Sequence, residues 1–425
     1  MTPVQADVVV CGGGMAGTVA AVAAARAGAA TLLIERWGFL GGSATAAAVG
    51  QFVGWKTEAG EQVVRGLAEE IVARLVRRGA SPGHGYFIMS TGHRMDRVEY
   101  DPEMLKLVLD EMVGEAGVRV LFHARVMAVQ RSGAVIERVD VLTAAGSLAV
   151  GARVVVDASG DLDVLARAGA TFLPLEANEQ LQPATMMFRF GPIDFARFEA
   201  LSPAELAGLV QQGVAAGALA RAALHCSRVP FTADGWFNIS RVAVDATDPF
   251  ALSAAEQEGR RQAFAAAGFL TAQVPGCGQG RLVALAAQLG IRESRRIAGR
   301  ATLHAADVRS ARPFPDAIAA GAYPIDLHPP SGSDLRFEPL GVNHAYQIPY
   351  GCLVPLGLDN ALVAGRGISA SHTAHAATRV MPTVMAIGEA AGTAAARAAA
   401  GNAGVAALDI AALRQALREA GAFLP

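Results

Sequence analysis

The chain is short of the residues that would tie it to several common protein classes. Its four cysteines, Cys11, Cys226, Cys277 and Cys352, lie far apart and include no C-x-x-C pair. That spacing excludes a disulfide framework, a zinc knuckle and a redox-active dithiol, and it suits a reducing compartment. A cytoplasmic location is therefore expected, and no metal. Charge of one sign is not in excess: 36 Lys and Arg stand against 38 Asp and Glu, for a net charge of −2. No basic stripe points to nucleic acid, and no polybasic segment to a membrane surface. Uninterrupted apolar runs are missing too. Residues 8–25 and 37–55 carry no charge over lengths near the ~18-residue spanning threshold. Yet Gly12, Gly13 and Gly14 break the first run, and Gly38, Gly41, Gly42 and Gly50 the second, which lipid would leave with unsatisfied backbone. No membrane span is expected, and the first strand begins too early to leave room for a signal peptide.

What is present is a large apolar core: 425 residues, 52% of them hydrophobic, suggest two or three domains. The stretch 7–35 organises the chain. Val8, Val9 and Val10 read as a strand buried on both faces. Gly12, Gly14 and Gly17 follow at G-x-G-x-x-G spacing, then an Ala-rich helix that Gly28 can end, then a second strand over 31–34. Glu35 closes it, 21 positions after Gly14 (35 − 14), near the ~20 expected of a ribose-binding acid. In such a unit Gly12 permits the turn, Gly14 lets a pyrophosphate approach, and Gly17 packs helix on strand. The helix N-terminus then faces the phosphates. This is a dinucleotide site. The segment after Glu35 carries Gly41 and Gly42 for close backbone approach, with Ser43 and Thr45 as hydroxyl donors to phosphate.

Further along, residues 61–79 read as an amphipathic helix and 80–100 as a long excursion bearing His84, Tyr86, His93, Arg94 and Arg97. Asp101, Pro102 and Glu103 open another helix. Strands are expected at 118–122, 125–131, 135–142 and 147–150, with hairpin turns at Gly133 and Gly146. A buried strand over 152–157 then returns to the parallel sheet and ends in Ala158-Ser159-Gly160-Asp161. Residues 171–345 lose the βαβ rhythm. Strands at 185–190 and 237–244 and helices at 253–269 and 291–306 suggest an inserted α+β domain there. The nucleotide fold resumes with a strand at 361–364, the turn Gly365-Arg366-Gly367, and a long Ala-rich helix that Pro382 can start. The expected organisation is thus α/β: a Rossmann-like domain of residues 1–170 and 346–425, with a parallel sheet and a β-hairpin excursion, plus a substrate domain of residues 171–345.

These pieces together resemble the broad family of FAD-dependent oxidoreductases that share a glutathione-reductase-type FAD fold with fumarate reductase flavoproteins and thiazole synthases. The matching motifs are Cys11-Gly12-Gly13-Gly14-Met15-Ala16-Gly17, Leu40-Gly41-Gly42-Ser43-Ala44-Thr45 and Val156-Asp157-Ala158-Ser159-Gly160-Asp161. Ile291-Arg292-Glu293-Ser294-Arg295-Arg296, Ile348-Pro349-Tyr350 and the block 363–392 complete them. Ser159 stands where Thr is usual. Gly351 and Gly367 stand where larger residues are common, which would enlarge the pocket.

The resemblance implies FAD. Its pyrophosphate would meet Gly14, Met15, Ala16 and Ser43, its adenosine ribose Glu35, and its adenine the backbone of Val126, with Gly12, Gly17, Arg36, Gly42, Ala44 and Thr45 also in the cofactor site. Arg366 and the helix start at Met381, Thr383 and Val384 would meet the ribitol and ring, and Ala158, Asp161 and Gly365 complete the cofactor-binding set. It also places His372 and Arg379 close to the ring. His372 is the candidate general base, because histidine ordinarily titrates at ~6.5. Arg292, Arg295 and Arg296 fall on the helix expected at 291–306, where Arg292 and Arg296 at i, i+4 could clasp a carboxylate or form interdomain ion pairs. Asp326 and His328 are candidates to line the pocket. No second strand–G-x-G-x-x-G–helix unit follows, so electrons are expected to enter from a small organic substrate and leave to oxygen, a quinone or a carrier. A fumarate-reductase-like reduction of an activated C=C bond, an NAD enzyme and a flavoprotein with structural FAD remain alternatives. The electron acceptor stays unknown, and a homo-oligomer is compatible with the sequence.

Overall fold

The computed structural model describes residues 2–89, 92–330 and 336–425. Strand β1 (Val4–Cys11) carries Val8, Val9 and Val10 with no exposed surface, as burial on both faces requires. Helix α1 (Met15–Arg26) returns to β2 (Thr31–Ile34), which pairs parallel with β1.

The next stretch departs from the sequence reading. Strand β3 (Gln51–Val53) and helix α2 (Leu67–Arg77) are followed by β4 (His84–Ile88) and β5 (Arg94–Glu99). The helix expected from residue 61 begins only at Leu67. Gly66 sits at φ +62°, and the Val63 N–H donates to the Trp55 carbonyl at 2.8 Å instead. The excursion expected at 80–100 is a hairpin that completes a three-stranded antiparallel sheet with β3. A buried charge hides it. Asp96 points inward and accepts the Trp55 N–H at 2.8 Å, which spoils the apolar–polar alternation.

Helix α3 (Pro102–Glu115) is capped by Asp101, whose carboxylate accepts the Glu103 N–H at 2.8 Å. It leads to β6 (Arg119–Leu121), parallel to β2, and to the expected hairpin of β7 (Arg125–Ser132) and β8 (Val135–Thr143). The two strands expected at 147–150 and 152–157 are one, β9 (Gly146–Asp157). Its first half pairs antiparallel with β8, and from Val150 onward it pairs parallel with β1. Burial changes along it from one face to both, and that change of pattern reads as a break.

After the short helix α4 (Asp163–Arg167), residues 184–289 supply a second apolar cluster. It contains β10 (Phe188–Gly191), α5 (Phe195–Glu199), α6 (Pro203–Ala215), β11 (Cys226–Arg228), β12 (Gly235–Phe237), α7 (Pro249–Gln273) and β13 (Arg281–Leu285). The strands form a sheet in the order β11–β12–β10–β13, with Phe188 stacked on Phe237. Helix α7 outruns the expected 253–269 because Asp248 caps it, accepting the Phe250 N–H at 2.8 Å. The strands expected at 185–190 and 237–244 contract to β10 and β12, leaving lone bridges at Thr185 and Val242.

The helix expected at 291–306 is absent. Residues 291–304 run as an irregular connector, and only α8 (Ala305–Ser310) is helical. Arg292, Arg295 and Arg296 therefore share no helix face. Each donates to a distant carbonyl, of Pro183, Asp161 and Ala370 respectively. Tertiary anchoring overrides the helical charge spacing.

Two ribbons follow, β14 (Ala317–Gly321) with β17 (Tyr346–Pro349), and β15 (Ile325–Leu327) with β16 (Arg336–Glu338). Ile297, Leu303, Val308, Ile318 and Tyr346 pack into the first core. Strand β18 (Ala361–Val363) joins the parallel sheet beside β9, and α9 (His372–Thr378), α10 (Met381–Gly401) and α11 (Ile410–Glu419) end the chain. Helix α10 crosses α1 backbone to backbone, since a Cβ at Gly388 or Gly392 would collide with the carbonyl of Ala16 or Ala20. Register aligns Leu121, Ile34, Cys11, Asp157 and Val363 in one row. The turns that follow them open along a single edge of the sheet. Among the described residues no helix is long and apolar enough to cross a membrane.

Candidate functional site

Two glycine segments meet at that edge. Gly12 lies at φ +103°, and a Cβ on Gly17 would collide with its carbonyl, so strand and helix touch through backbone alone. Gly41 donates to the Gly13 carbonyl at 2.8 Å, and a Cβ on Gly42 would come within 2.8 Å of the Gly14 Cα. The Thr18 N–H is the first in α1 to find a carbonyl, that of Gly14, which leaves Met15, Ala16 and Gly17 as free first-turn donors. Glu35 is buried beneath. Its carboxylate accepts the Gly13 N–H at 2.6 Å and the Trp37 N–H at 2.8 Å, and the Ala124 N–H reaches the Glu35 carbonyl at 3.0 Å. Val126 on β7 is two residues from that contact. Arg36 donates to Gln288 at 2.7 Å. Ser43 is half-buried beside Ala44, but the Thr45 hydroxyl donates to the Leu40 carbonyl at 2.6 Å. Its one O–H is spent, so the hydroxyl donor expected of Thr45 is not free.

The turns after β9 and β18 come together across the edge. Arg366 pairs with Asp161 at 2.5 Å, and its buried Nε has no partner among the described residues. Burial opposes the charge on Asp161, but Arg366 and the Ser294 hydroxyl outweigh it and hold the carboxyl below its usual range. Ala158 is tied to Cys11 through backbone, and the Ser159 hydroxyl accepts the Asp163 N–H at 2.8 Å where α4 begins. Gly365 takes φ +98° against α1. Gly351 and Gly367 do not enlarge a pocket: a Cβ on either would come within 2.8 Å of Ala301 or Leu162. At α10, Pro382 has no N–H and Val384 already donates to Val380, which leaves Met381 and Thr383 as first-turn donors.

Beyond α9 lies a buried polar network. Glu293 has no exposed surface, and its carboxylate meets His372 Nδ1 at 2.9 Å, Arg296 at 3.4 Å and the Gln182 N–H at 3.2 Å. Burial alone would raise its pKa, yet the His372 bond and the neighbouring Arg296 hold it at about 2. An ionised carboxylate only accepts, so the proton of this bond sits on His372 Nδ1, and Nε2 makes no hydrogen bond with the described residues. Burial pushes His375 down to about 3, so that ring is neutral.

A second cluster centres on Asp326 of β15. The Tyr323 hydroxyl donates to its carboxylate at 2.8 Å, His328 lies at 3.1 Å and Arg379 at 3.7 Å. Burial and nearby Arg292 push His328 down to about 3. Burial opposes ionisation of Asp326 as well, but His328 and Arg379 keep it well below its ordinary value. Arg292 donates to the Pro183 carbonyl at 2.6 Å and to Thr185 at 2.8 Å. Burial, with Arg379 and Arg221 as positive neighbours, lowers it to about 9.

The structure thus brings Arg292 and Arg379 into one charged neighbourhood and gives His372 a separate partner in Glu293. Arg296 faces Glu293 rather than standing beside Arg292. Sequence reasoning assigned no role to Glu293 and missed Arg221, Tyr323 and Gln182. Arg221 left one signal, a lone cation in the apolar run 213–224.

A family model described as FAD dependent oxidoreductase matches residues 7–417. No curated relative matches the chain. Among solved structures, a geranylgeranyl bacteriochlorophyll reductase-like protein from Thermoplasma acidophilum is 13% identical over 98% of this chain and 84% of its own, with a TM-score of 0.54. That likeness is one of fold. A flavin-dependent brominase is 14% identical over 98% of this chain and 83% of its own, with a TM-score of 0.49.

Proposed function

Because the chain belongs to the family of FAD-dependent oxidoreductases, we propose that it oxidises a small organic substrate at a C–H bond beside a hydroxyl or amine, with His372 accepting the proton. The residues fit the cofactor. Gly14 and Gly42 leave a cradle that a Cβ would fill, and Arg366 carries a buried donor with no partner. The N–H groups of Gly14, Met15 and Ala16, with Ser43, would hold the diphosphate. Gly12 and Gly17 shape that turn, while Gly42 and Ala44 bring the second segment against it. Glu35 retains lone pairs for ribose hydroxyls, Arg36 flanks it, and Val126 meets the adenine. Arg366, fixed by Asp161, joins Ala158, Gly365 and the α10 start at Met381, Thr383 and Val384 on the ring side. When bound, FAD supplies a ring that takes up a hydride.

The chain's own part is proton handling and orientation. His372 Nε2 is the open position on an imidazole whose Nδ1–H is fixed by Glu293 at 2.9 Å. This pairing is the observation that carries the reading. A buried carboxylate on Nδ1 sets the tautomer and stabilises the imidazolium that forms. Arg379 and Arg292 orient the substrate. The electrons leave to oxygen, a quinone or a carrier protein. Candidate substrates are screened by anaerobic bleaching of bound flavin, and His372→Asn is then compared with wild type. The variant is expected to retain FAD and lose ~10²–10⁴-fold in the rate of flavin reduction. A rate within about threefold of wild type, well below that range, would make His372 a structural residue.

A further inference from the structure

Positive charge is unbalanced beside this site. Arg221 lies between α6 and β11, Arg292 on the connector 291–304, and Arg379 between α9 and α10. Arg292 feels both of the others as positive neighbours. The carboxylate that all three face is Asp326. His328 and His225 face the same charges, and burial leaves both neutral. Arg97, which also faces His225, is matched by Glu99 at 3.2 Å. Arg241 acts on Arg292 as a weaker positive neighbour than Arg379 or Arg221. Among the described residues, three guanidiniums against one carboxylate leave an excess of two positive charges, which is costly out of water unless anions arrive to match it.

Their donors are also unspent. A guanidinium has five N–H bonds. Arg379 Nε is buried with no acceptor among the described residues. Arg292 Nη2 has a 3.5 Å contact with Asn238 Oδ1, and Arg221 a 3.5 Å contact with the Asn238 carbonyl. The donors fall into two groups, Arg221 and Arg292, which both reach Asn238, and Arg379 against Asp326. The FAD diphosphate is not the missing anion, since the glycine cradle accounts for it.

We propose that Arg221, Arg292 and Arg379 bind a substrate bearing two carboxylates, one held between Arg221 and Arg292 and the other by Arg379. Planar guanidinium forks match carboxylates bidentately, and two such groups restore neutrality. The inference rests on the placement of His372 and Arg379 at the redox centre.

The test titrates the FAD-loaded protein with malonate, succinate and glutarate, read by flavin difference spectra and by calorimetry at low salt. Propionate, succinamide and inorganic phosphate are the controls. At least one dicarboxylate should saturate with a Kd tenfold or more below those of propionate and phosphate, and should shift the flavin spectrum. Arg221→Met and Arg292→Met should each weaken it by about 10- to 100-fold at unchanged FAD content. Arg292→Lys should recover only part, because a point charge lacks the fork. The proposal is overturned if no dicarboxylate exceeds propionate, if phosphate binds best, or if the Met variants bind as wild type. It is equally overturned if those variants lose FAD, which would assign the arginines to the cofactor. Saturable calorimetric binding with an unmoved flavin spectrum would uphold the anion site and overturn its place beside the flavin.

Discussion

The glycine cradle and the arginine cluster use different materials. The cradle is backbone, drawn from residues 12–17 and 41–44, where absent side chains let two turns approach. The cluster is side chain, gathered around Asp326 from residues as far apart as Arg221 and Arg379. A backbone site needs particular glycines at particular spacings, and its donors are common to every residue. A side-chain site needs a particular charge at each position but no fixed spacing. The first tolerates no added atom at Gly12, Gly17, Gly41 or Gly42, whereas the second tolerates any fold that delivers the same charges.

The largest effect expected from that contrast comes from filling the cradle. Gly42→Val would set a branched side chain against Gly14 from a backbone at φ +54°. It should abolish FAD retention through gel filtration and lower stability by about 3 kcal/mol or more, combining overpacking with strain. A yellow protein with wild-type FAD content would break the comparison.

A smaller effect separates the back of the cradle from its face. Glu389 on α10 is buried and accepts the Leu67 N–H at 3.1 Å. Burial raises its carboxyl from 4.5 to about 7 against that bond. The folded state therefore favours the neutral form, and the stability present below pH 4.5 is lost as pH rises through about 7. The full shift is worth about 3 kcal/mol. Urea unfolding of Glu389→Gln at pH 5 and pH 8 should show most of this slope removed, with FAD still bound. An unchanged slope would place its origin elsewhere.

The smallest effect concerns Gly351, which sits against Ala301 rather than beside an open pocket. Gly351→Ala should cost about 1–3 kcal/mol by overpacking and leave substrate affinity unchanged. A changed KM with unchanged stability would return Gly351 to the pocket wall.

The same contrast explains what could be read in advance. The unit from β1 through Glu35, the turn at Arg366 and the start of α10 at Pro382 were legible because local spacing dictates them. The hairpin β4–β5 was not, because Asp96 faces inward to hold the Trp55 N–H. The connector 291–304 looked helical from its charges, yet its arginines reach Pro183, Asp161 and Ala370. Glu293 and His372 are 79 residues apart in sequence, and nothing local announces that they touch. Arg221 came into the cluster only through tertiary packing.

If proton transfer belongs to the His372–Glu293 pair and cofactor binding to the cradle, one can be lost without the other. The most direct measurement is the reductive half-reaction of Glu293→Gln, followed by anaerobic stopped flow at measured FAD occupancy. Gln still fills the site and bonds the imidazole, but it carries no charge to stabilise the imidazolium. Full occupancy is predicted, with flavin reduction slowed by ~10²-fold or more. Reduction at the wild-type rate, or loss of FAD from the variant, would contradict the account.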